Sequence, residues 1–440
     1  MKIKKKTIFI PIEIYYREFN QRLYLISKLI KNNYRVYIGT KYGIDQILNQ
    51  KIKKKEFGGI FFYKGNIIQN KKYWLKIKKT CDNFVALDEE LGPAVPNKKL
   101  SLSIRANFDK RINKFFVLGN NWKKEIIKKD KRFKDIIVSS GWPKFDLVAD
   151  KNFKYYYDQA SNIKKKYGEF FLFSSNFGAL SKNGLKKIMK IMKDNYSKEF
   201  CRKRKIIFEK NLKNFQQFIR ELDYYYKNNG KNKIIIRPHP SEFYHTDWQN
   251  SIHKIKNKVK IIYDNDIIPW IIASKGLIHR GCGTSLDAYF LKKKIYYWSP
   301  KKKHININNE NLTYNISYKI NRLSDLEKRS KKIDVNIHNL KKNVENFKKI
   351  NSSNKIVKEL NKLKTSKNFS IGKQSYLEIK VFYNFIKFYI KKLLNIKYNQ
   401  KIPEMIKEET IRIFYKNLKF YKDITVERVN SEAILIELKK

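Results

Sequence analysis

The sequence has few cysteines, few acidic residues for its number of basic ones, and no long apolar run. The three cysteines, Cys81, Cys201 and Cys282, are too few and too scattered over 440 residues for a disulfide framework or a zinc site. This cysteine usage predicts a reducing compartment, and we expect a cytoplasmic protein. Since no apolar run approaches the roughly eighteen residues of a membrane span, the sequence predicts no transmembrane helix.

The N-terminus has the basic opening of a signal peptide without its apolar core. The first residues read MKIKKKTIFIPIEI, and Glu13 interrupts the apolar run too early for a signal sequence. We therefore interpret residues 7–14 as the first strand of a folded domain.

Basic residues greatly outnumber acidic ones. The chain contains 98 Lys and Arg against 40 Asp and Glu, a formal net charge of +58. Such a charge attracts nucleic acids, anionic membranes or acidic substrates. The lysines are spread over nearly every segment together with Asn and Ile, which is typical of an AT-rich genome. The sequence lacks RRM, helix-turn-helix and zinc-finger signatures, so we expect no specific nucleic-acid partner.

Short apolar runs alternate with helical spacing along most of the chain. This alternation predicts βαβ units and parallel sheets, and the length and the 42% hydrophobic content allow two domains. Residues 17–31 have helical spacing. Beyond residues 7–14, the predicted strands are 34–40, 60–63, 84–87, 115–118, 136–138, 169–174, 234–236, 277–278 and 295–297.

Two of the later strands end in residues suited to binding an anion. The strand 234–236 runs into Arg237-Pro238-His239-Pro240, where Arg offers a fork for phosphate oxygens and His can donate a proton. A histidine held structurally between two prolines is the alternative. Ligands bind at the carboxyl ends of parallel strands, so we expect Arg237 and His239 to contact a ligand.

The strand 277–278 runs into the sequence HRGCGTS and then a predicted helix, residues 286–292. Gly281 and Gly283 allow a close backbone approach, and Thr284 or Ser285 can cap the helix. Free N–H groups at a helix start attract phosphate. The strand 169–174 similarly ends in Ser174, Ser175 and Asn176, which either bind a ligand or form an ordinary turn.

Acidic residues follow two predicted strands in the N-terminal half. Glu13 ends the first strand, Arg17 and Glu18 open the next helix, and Asp88, Glu89 and Glu90 follow the strand 84–87. A carboxylate can take the proton of an attacking hydroxyl, and neighbouring carboxylates raise one another's pKa. A solvated loop or a helix start is the alternative. Alternation would turn Asp88 and Glu90 one way and Glu89 the other, which does not choose the base.

These motifs, in this order, resemble bacterial surface-carbohydrate biosynthesis proteins of the GT-B type. The resemblance rests on RPHP, on G-x-G-T-S-L-D-A followed by KKKIYYWSP, and on three N-terminal elements: Ile10-Pro11-Ile12-Glu13, Arg17-Glu18-Phe19 and Asp88-Glu89-Glu90. It covers about residues 7–300. Similar layouts occur in sialyl- and polysialyltransferases, Kdo transferases and CDP-glycerol glycerophosphotransferases. The acidic element departs from the sialyltransferase pattern because Leu91 separates Glu90 from Gly92.

The resemblance implies a GT-B-like α/β fold with two Rossmann-like, doubly wound domains and a cleft between them. The implied domains are 1–150 for the acceptor, 151–315 for the nucleotide-sugar donor, and a helical extension, 316–440. It also implies metal-independent transfer of a sugar to a capsule or lipopolysaccharide acceptor, glycan or lipid-linked, without a cofactor. The sequence agrees in lacking an Asp-x-Asp after an apolar strand, with Asp264-Asn265-Asp266 interpreted as a loop.

The residue roles follow the same resemblance. The catalytic set is Asp88, Glu89, Glu90 and His239, and the acceptor-side set is Glu13, Arg17 and Glu18. The donor-binding set is Arg237, His239, Ser174, Ser175, His279, Gly283, Thr284, Ser285 and Asp287. Three alternatives stay open: a UDP-sugar 2-epimerase, a polyol-phosphate transferase, and a non-catalytic assembly factor at the membrane surface.

The C-terminal region contains one amphipathic segment with two interpretations. Residues 376–394 are basic, aromatic and helically spaced, so they either lie on an anionic membrane or pack back on the N-terminal domain. A peripheral location at the inner membrane surface follows from the first interpretation. Residues 425–438 predict a terminal hairpin that turns at Asn430 and Ser431.

Overall fold

The computed structural model describes most of the chain in two compact units. The described residues are 5–65, 71–89, 111–150, 154–178, 180–193, 198–239, 242, 248–255, 257–263, 266–300, 312–327, 337–345, 347, 351–366, 406–420 and 422–439. The first unit comprises Met1–Tyr155 and Ile337–Lys440, and the second comprises Tyr156–Asn336. The predicted domain boundaries at 150 and 315 stay predictions. Glu90, Asp264, Asn265 and the segment 376–394 lie outside the described residues.

The N-terminal part of the first unit alternates strands and helices. Its strands are β1 Lys6–Ile12, β2 Tyr34–Thr40, β3 Ile60–Lys64, β4 Asn83–Leu87, β5 Lys114–Val117 and β6 Ile137–Ser139. Its helices are α1 Tyr15–Lys31, α2 Lys41–Lys53, α3 Lys71–Thr80, α4 Asn120–Lys129, a 3-10 turn Lys131–Phe133, and α5 Pro143–Ala149.

The second unit repeats this alternation. Its strands are β7 Phe171–Ser174, β8 Ile234–Arg237, β9 Val259–Ile261, β10 Gly276–His279, β11 Lys294–Trp298 and β12 Tyr318–Ile320. Its helices are α6 Tyr155–Tyr167, α7 Lys182–Lys193, α8 Lys198–Lys227, α9 Trp248–Ser251, α10 Ile267–Ala273, α11 Thr284–Phe290 and α12 Leu312–Asn315, with 3-10 turns His253–Ile255 and Leu323–Glu327.

The chain then returns to the first unit. The returning elements are α13 Ile337–Asn343, α14 Ser352–Asn361, α15 Glu408–Asn417, β13 Ile424–Asn430 and β14 Ala433–Leu438. The C-terminal region therefore contains a strand hairpin as well as helices, and the predicted hairpin near Asn430 is confirmed.

Both sheets are doubly wound. Within the described residues, the first sheet has the strand order β13-β14-β2-β1-β3-β4-β5-β6 and the second has β12-β11-β10-β7-β8-β9. All neighbouring pairs are parallel except β13 with β14 and β14 with β2. In each sheet the first strand of the unit lies inside, and later strands are added on both of its sides. The predicted GT-B-like α/β fold class, with two Rossmann-like units, is confirmed.

The strands are short apolar runs because helices cover both faces of a parallel sheet. In β1 every residue after Lys6 is buried. Helix α1 buries a stripe that includes Phe19, Leu23 and Ile26. In the second unit the core is aromatic, and the Phe173 and Phe218 rings stack with centroids 3.9 Å apart.

The C-terminal elements are held to the first unit by backbone contacts. Strand β14 pairs antiparallel with β2, and Tyr415 Oη in α15 donates to the Leu23 carbonyl at 3.0 Å. At the start of α14, Ser352 N–H donates to Asp146 Oδ1 at 2.8 Å, which satisfies a donor that has no partner within its own helix. These contacts join the described residues after 336 to the core of the first unit.

A glycine in β2 reports on the seating of the C-terminal hairpin. A Cβ at Gly39 would lie 2.5 Å from Glu432 O and 2.8 Å from Ala433 Cβ, whereas a Cβ at Gly65 would meet nothing within 4 Å. Gly65 has φ of +83°, so its replacement tests backbone strain alone, worth roughly 1–2 kcal/mol.

We expect Gly39→Ala to lower the free energy of unfolding by about 2–3 kcal/mol because the added methyl overpacks the strand pair. Urea unfolding followed by circular dichroism measures the loss, with Gly65→Ala as the control. If both variants lose the same small amount, β14 is not seated on β2 as described.

Candidate functional site

The strand order of the second unit brings three chain segments together. Strand β7 has β8 as its neighbour on one side and β10 on the other, and the chain adds strands first on the β8 side and then on the β10 side. A crevice therefore forms at the carboxyl ends of β7 and β10, where the strand order reverses. Ser174, the last residue of β7, is in register with His279 of β10 and with Arg237 of β8. The segments predicted to bind the donor therefore start side by side.

Hydroxyl and thiol groups from two of these segments form a small cluster. Thr284 Oγ1 lies 3.3 Å from Ser174 Oγ and 3.1 Å from Cys282 Sγ. Ser174 Oγ lies 3.6 Å from the same sulfur. Asn176 Nδ2 donates to Gly281 O at 3.5 Å, which adds a weaker link between the loops after β7 and β10. These contacts bring together the predicted residues Ser174 and Thr284.

Glu242 fixes the backbone of the loops after β7 and β8. Its buried carboxylate accepts from the Ser175 hydroxyl, from Phe177 N–H at 2.6 Å and from Trp248 Nε1 at 3.1 Å. It also accepts from Gly178 N–H and from His239 N–H, each at 3.2 Å. Burial raises the pKa of Glu242, and the surrounding donors oppose that rise. The carboxylate thus holds Ser175 and the His239 backbone in place.

Arg237 and His239 differ in their exposure. The His239 side chain is exposed, while its N–H also donates to Ser175 Oγ at 3.2 Å. Arg237 is half-buried at the end of β8, and its carbonyl accepts from Ser175 N–H at 3.1 Å. The backbone of both residues is therefore fixed, and the imidazole of His239 is accessible to a ligand.

His279 lies in the interior of the second unit. Its Nδ1 accepts from Gly281 N–H at 3.0 Å and Cys282 N–H at 3.2 Å, and its Nε2 lies 2.9 Å from Ser317 Oγ. Two N–H groups aimed at Nδ1 place the ring proton on Nε2. Burial lowers the pKa of His279 to about 3, so the ring is neutral. His279 therefore positions the loop that begins at Arg280, while Gly281 takes φ of +86°.

Helix α11 begins two residues earlier than the sequence predicts. It starts at Thr284, and Gly283 occupies the capping position without a side-chain hydrogen bond. The prediction that Thr284 or Ser285 caps the helix is therefore wrong. The Ser285 hydroxyl instead donates back to Cys282 O at 2.8 Å, and Ser285 and Asp287 are both buried. Small polar residues can occupy either a cap or a first turn, and the sequence does not distinguish these positions.

Arg280 lies against aromatic rings at the crevice. Its guanidinium carbon is 5.0 Å from the Phe177 ring centroid and 5.7 Å from that of Trp298. Burial lowers its pKa to about 10, which leaves it charged at neutral pH. Among the described residues, the structure gives this guanidinium two aromatic faces and no carboxylate within salt-bridge distance.

The first unit has a second polar group where its own strands end. Glu18 is fully buried in α1, accepts from Glu13 N–H at 2.9 Å and pairs with Lys64 Nζ at 3.1 Å. Glu13 is half-buried, accepts from Tyr63 Oη at 3.0 Å and lies 3.9 Å from Lys64 Nζ. Arg17 is exposed, 3.8 Å from Glu18. The predicted acceptor-side residues thus form one group around Lys64.

Glu89 forms a buried ion pair with Arg22. Arg22 Nη2 lies 2.6 Å from Glu89 Oε2 and Nη1 lies 3.3 Å from Oε1, with both side chains almost fully buried. Burial raises the pKa of Glu89, and the Arg22 guanidinium opposes that rise. Asp88 is also buried, and its carbonyl accepts from Trp142 Nε1 at 2.7 Å. Of these two acids, Glu89 turns towards α1.

Several of these residues were not predicted from the sequence as site residues. Glu242 follows a proline-rich loop, and Arg22 lies within an amphipathic helix, so neither has a local signal. Arg280 had one, because it directly follows a predicted strand beside His279. Asp266 of the Asp264-Asn265-Asp266 sequence caps α10 through Ile268 N–H at 3.0 Å. Within the described part of the chain, no group of three or more metal-ligand side chains occurs.

No protein-family profile matches the chain. No curated protein sequence matches it either. In the described residues, no helix is long and apolar enough to cross a membrane.

Among solved structures, the chain is similar to the wall teichoic acid polymerase TagF. The identity is 12%, the match covers 81% of this chain and 88% of the other, and the TM-score is 0.49. It is also similar to the UDP-GlcNAc 2-epimerase of Methanocaldococcus jannaschii, with 13% identity, coverage of 81% and 99%, and a TM-score of 0.48. A third similar structure is S. aureus MnaA with UDP, with 12% identity, coverage of 84% of this chain and 100% of the other, and a TM-score of 0.42.

The buried imidazole predicts a defined dependence of stability on pH. The neutral form of His279 contributes fully above the unfolded pKa of 6.5, and that contribution is lost as the pH falls from 6.5 towards 3. Its slope is about 1.4 kcal/mol for each pH unit. His279→Asn keeps an acceptor for the loop N–H groups but does not titrate there.

We expect the free energy of unfolding of the native chain to fall more steeply between pH 6.5 and 5 than that of His279→Asn. Urea unfolding monitored by tryptophan fluorescence at both pH values gives the difference, with the exposed His253→Asn as the matched control. Parallel curves for the native chain and His279→Asn would contradict the buried neutral ring.

Proposed function

We propose that this chain is an enzyme that transfers a sugar, or a related activated group, from a nucleotide donor to a surface-glycan acceptor. One observation carries the proposal. Polar and cationic residues lie at the carboxyl ends of three adjacent strands, Ser174 of β7, Arg237 of β8 and Arg280 after β10, and the order of this doubly wound sheet reverses between β7 and β10. Such crevices bind nucleotides in open α/β sheets.

The donor phosphates are proposed to bind Arg280 together with Arg237 and His239. Arg280 is charged at neutral pH, since its pKa of about 10 remains well above it. Its planar fork matches phosphate oxygens, and stacking on Phe177 and Trp298 restricts its orientation. The hydroxyl of Thr284 can add a neutral donor, and the exposed His239 ring can add a hydrogen bond or a proton.

The proposed reaction develops negative charge on the leaving phosphate beside these groups. The acceptor hydroxyl oxygen bonds to the transferred carbon, and the bond between that carbon and the phosphate oxygen breaks. The electron pair leaves with the nucleotide phosphate, where arginine stabilises it in a partly buried site. The hydroxyl proton goes to a carboxylate.

Glu13 is the proposed proton acceptor. It is the partly exposed carboxylate of the group around Lys64, and Tyr63 Oη holds it at 3.0 Å. Glu89 is a weaker candidate because its two oxygens are paired with Arg22. The earlier assignment of the base to Asp88, Glu89 or Glu90 stays a prediction.

Nucleotide binding is tested by thermal shift with CMP, CDP, UDP and GDP, because a ligand that binds the folded state raises its stability. We expect one of the four to raise the melting temperature of the native chain. Arg280→Gln should lower the affinity for that nucleotide by roughly ten- to a hundredfold, since a hydrogen bond to a charged group is lost.

Arg220→Gln is the matched control. Arg220 is exposed on α8, and its substitution removes the same charge as Arg280→Gln does. Each variant is compared with its own ligand-free melting temperature, which separates binding from stability. If Arg280→Gln and Arg237→Gln each retain the full shift in melting temperature, neither arginine binds the nucleotide phosphate.

Transfer is tested with a labelled donor and an acceptor extract from the producing cells. We expect Glu13→Gln to reduce the rate by roughly a hundred- to ten-thousandfold while nucleotide binding persists. Glu89→Gln should instead lower the free energy of unfolding by about 3–5 kcal/mol, because it leaves Arg22 buried without its charge partner.

A native rate in Glu13→Gln with a lost rate in Asp88→Asn or Glu90→Gln would move the base to the acidic run. A donor incubation without acceptor gives the second check. Formation of a sugar epimer in that reaction would replace the transferase proposal with the 2-epimerase alternative.

A further inference from the structure

The first half of α8 exposes isoleucines on its outer face. Ile206 is 62% exposed, the highest exposure of any large hydrophobic side chain among the described residues, and Ile207 is 45% exposed. The opposite face of the same helix packs into the core through Cys201, Leu212 and Phe215. Burial on one face and exposed isoleucines on the other leave an apolar pair without a partner inside the described part of the second unit.

Side chains around this apolar pair are mostly basic. Residues three and four positions apart are neighbours on a helix, so Arg202, Lys203, Glu209 and Lys210 flank Ile206. All four are exposed. We call the exposed set Arg202, Lys203, Ile206, Ile207, Lys210 and Lys213 the Ile206 face.

The charge of this part of the helix is strongly positive. Residues 198–213 contain seven basic and two acidic residues. The two acids are already paired, Glu199 with Lys203 at 2.6 Å and Glu209 with Lys205 at 3.8 Å. The neighbouring helix α7 repeats the pattern, with Lys186, Lys187 and Lys190 exposed.

We propose that the Ile206 face binds an anionic lipid surface, with Ile206 and Ile207 entering the interfacial region. Basic residues beside exposed apolar side chains are the composition of interfacial helices, in which the cations contact lipid headgroups and the apolar groups enter below them. The proposal does not depend on the proposed function, and the surface is distinct from residues 376–394.

Two other occupants fit less well. A second copy of the chain would bring the same net charge of +58, so like charges would oppose its approach to this basic face. Single-stranded nucleic acid is bound through phosphate contacts and through stacking of bases on aromatic rings, and the Ile206 face offers no aromatic ring. The isoleucines therefore favour lipid.

A chain of this charge will adhere to many anionic surfaces, so the test compares positions within the full-length protein. Sedimentation with vesicles of phosphatidylcholine and phosphatidylglycerol gives a partition coefficient. We expect the double variant Ile206→Ser with Ile207→Ser to lower it by roughly tenfold, because the apolar contribution is lost. Ile206→Leu should bind as the native chain does.

Ile413→Ser is the apolar control, since Ile413 is 43% exposed on α15 with Glu409 and Thr410 as its preceding helical neighbours. The charge control compares Lys210→Glu with Lys128→Glu, both exposed, which change the net charge equally. We expect weaker binding for Lys210→Glu alone. Insertion predicts that fluorescence of Ile206→Trp is quenched by brominated lipid.

Equal binding by the serine variant and the native chain, or equal losses at Ile206 and Ile413, would overturn the proposal. It would also be overturned if the serine variant kept vesicle binding but lost self-association in sedimentation velocity, or lost binding to a labelled oligonucleotide. Circular dichroism of each variant establishes that α8 is still folded.

Discussion

The buried carboxylate of Glu242 connects the loops on which the candidate donor site depends. It accepts from five donors that belong to the loop after β7, to the RPHP segment and to Trp248. A buried charge is tolerated when hydrogen bonds replace the water that it loses. The same hydrogen bonds hold Ser175 and the His239 backbone. The contacts that solvate the buried carboxylate therefore also fix the geometry of the loops.

The first unit uses buried charges in a related way. Glu18 satisfies the Glu13 N–H just before α1, and one turn later Arg22 of the same helix pairs with Glu89 beyond β4. A buried ion pair often adds little net stability, but removing one partner is costly. Helix α1 is therefore fixed against the strand ends, which leaves Glu13 partly exposed beside Tyr63 and Lys64.

His279 and Arg280 show how adjacent residues can separate support of a loop from a proposed contact with phosphate. His279 is the last residue of β10, and its buried neutral ring accepts from the two N–H groups of the following turn. Arg280 comes next and stacks on Phe177 and Trp298 while staying charged. A histidine in a motif is readily interpreted as a ligand contact, but here its burial assigns it to the support of the loop.

The sequence by itself determined most of the strands and the helix α1. Strands such as β1, β2 and β8 were predicted because parallel strands covered on both faces are continuous apolar runs, and α1 because its apolar spacing repeats every 3.6 residues. The terminal hairpin followed from its local turn. Strands β9 and β12 were missed because a lysine interrupts each short apolar run, Val259–Ile261 and Tyr318–Ile320.

The tertiary structure decided which elements are neighbours and which side chains meet. Strand β14 lies beside β2, almost 400 residues away along the chain, and Arg22 meets Glu89 across 67 residues. Local pattern records the period of burial but not the partner on the other side. Burial of His279, the pairing of Glu89 and the donors around Glu242 all arise from such distant partners, so only the assembled sheets could assign their roles.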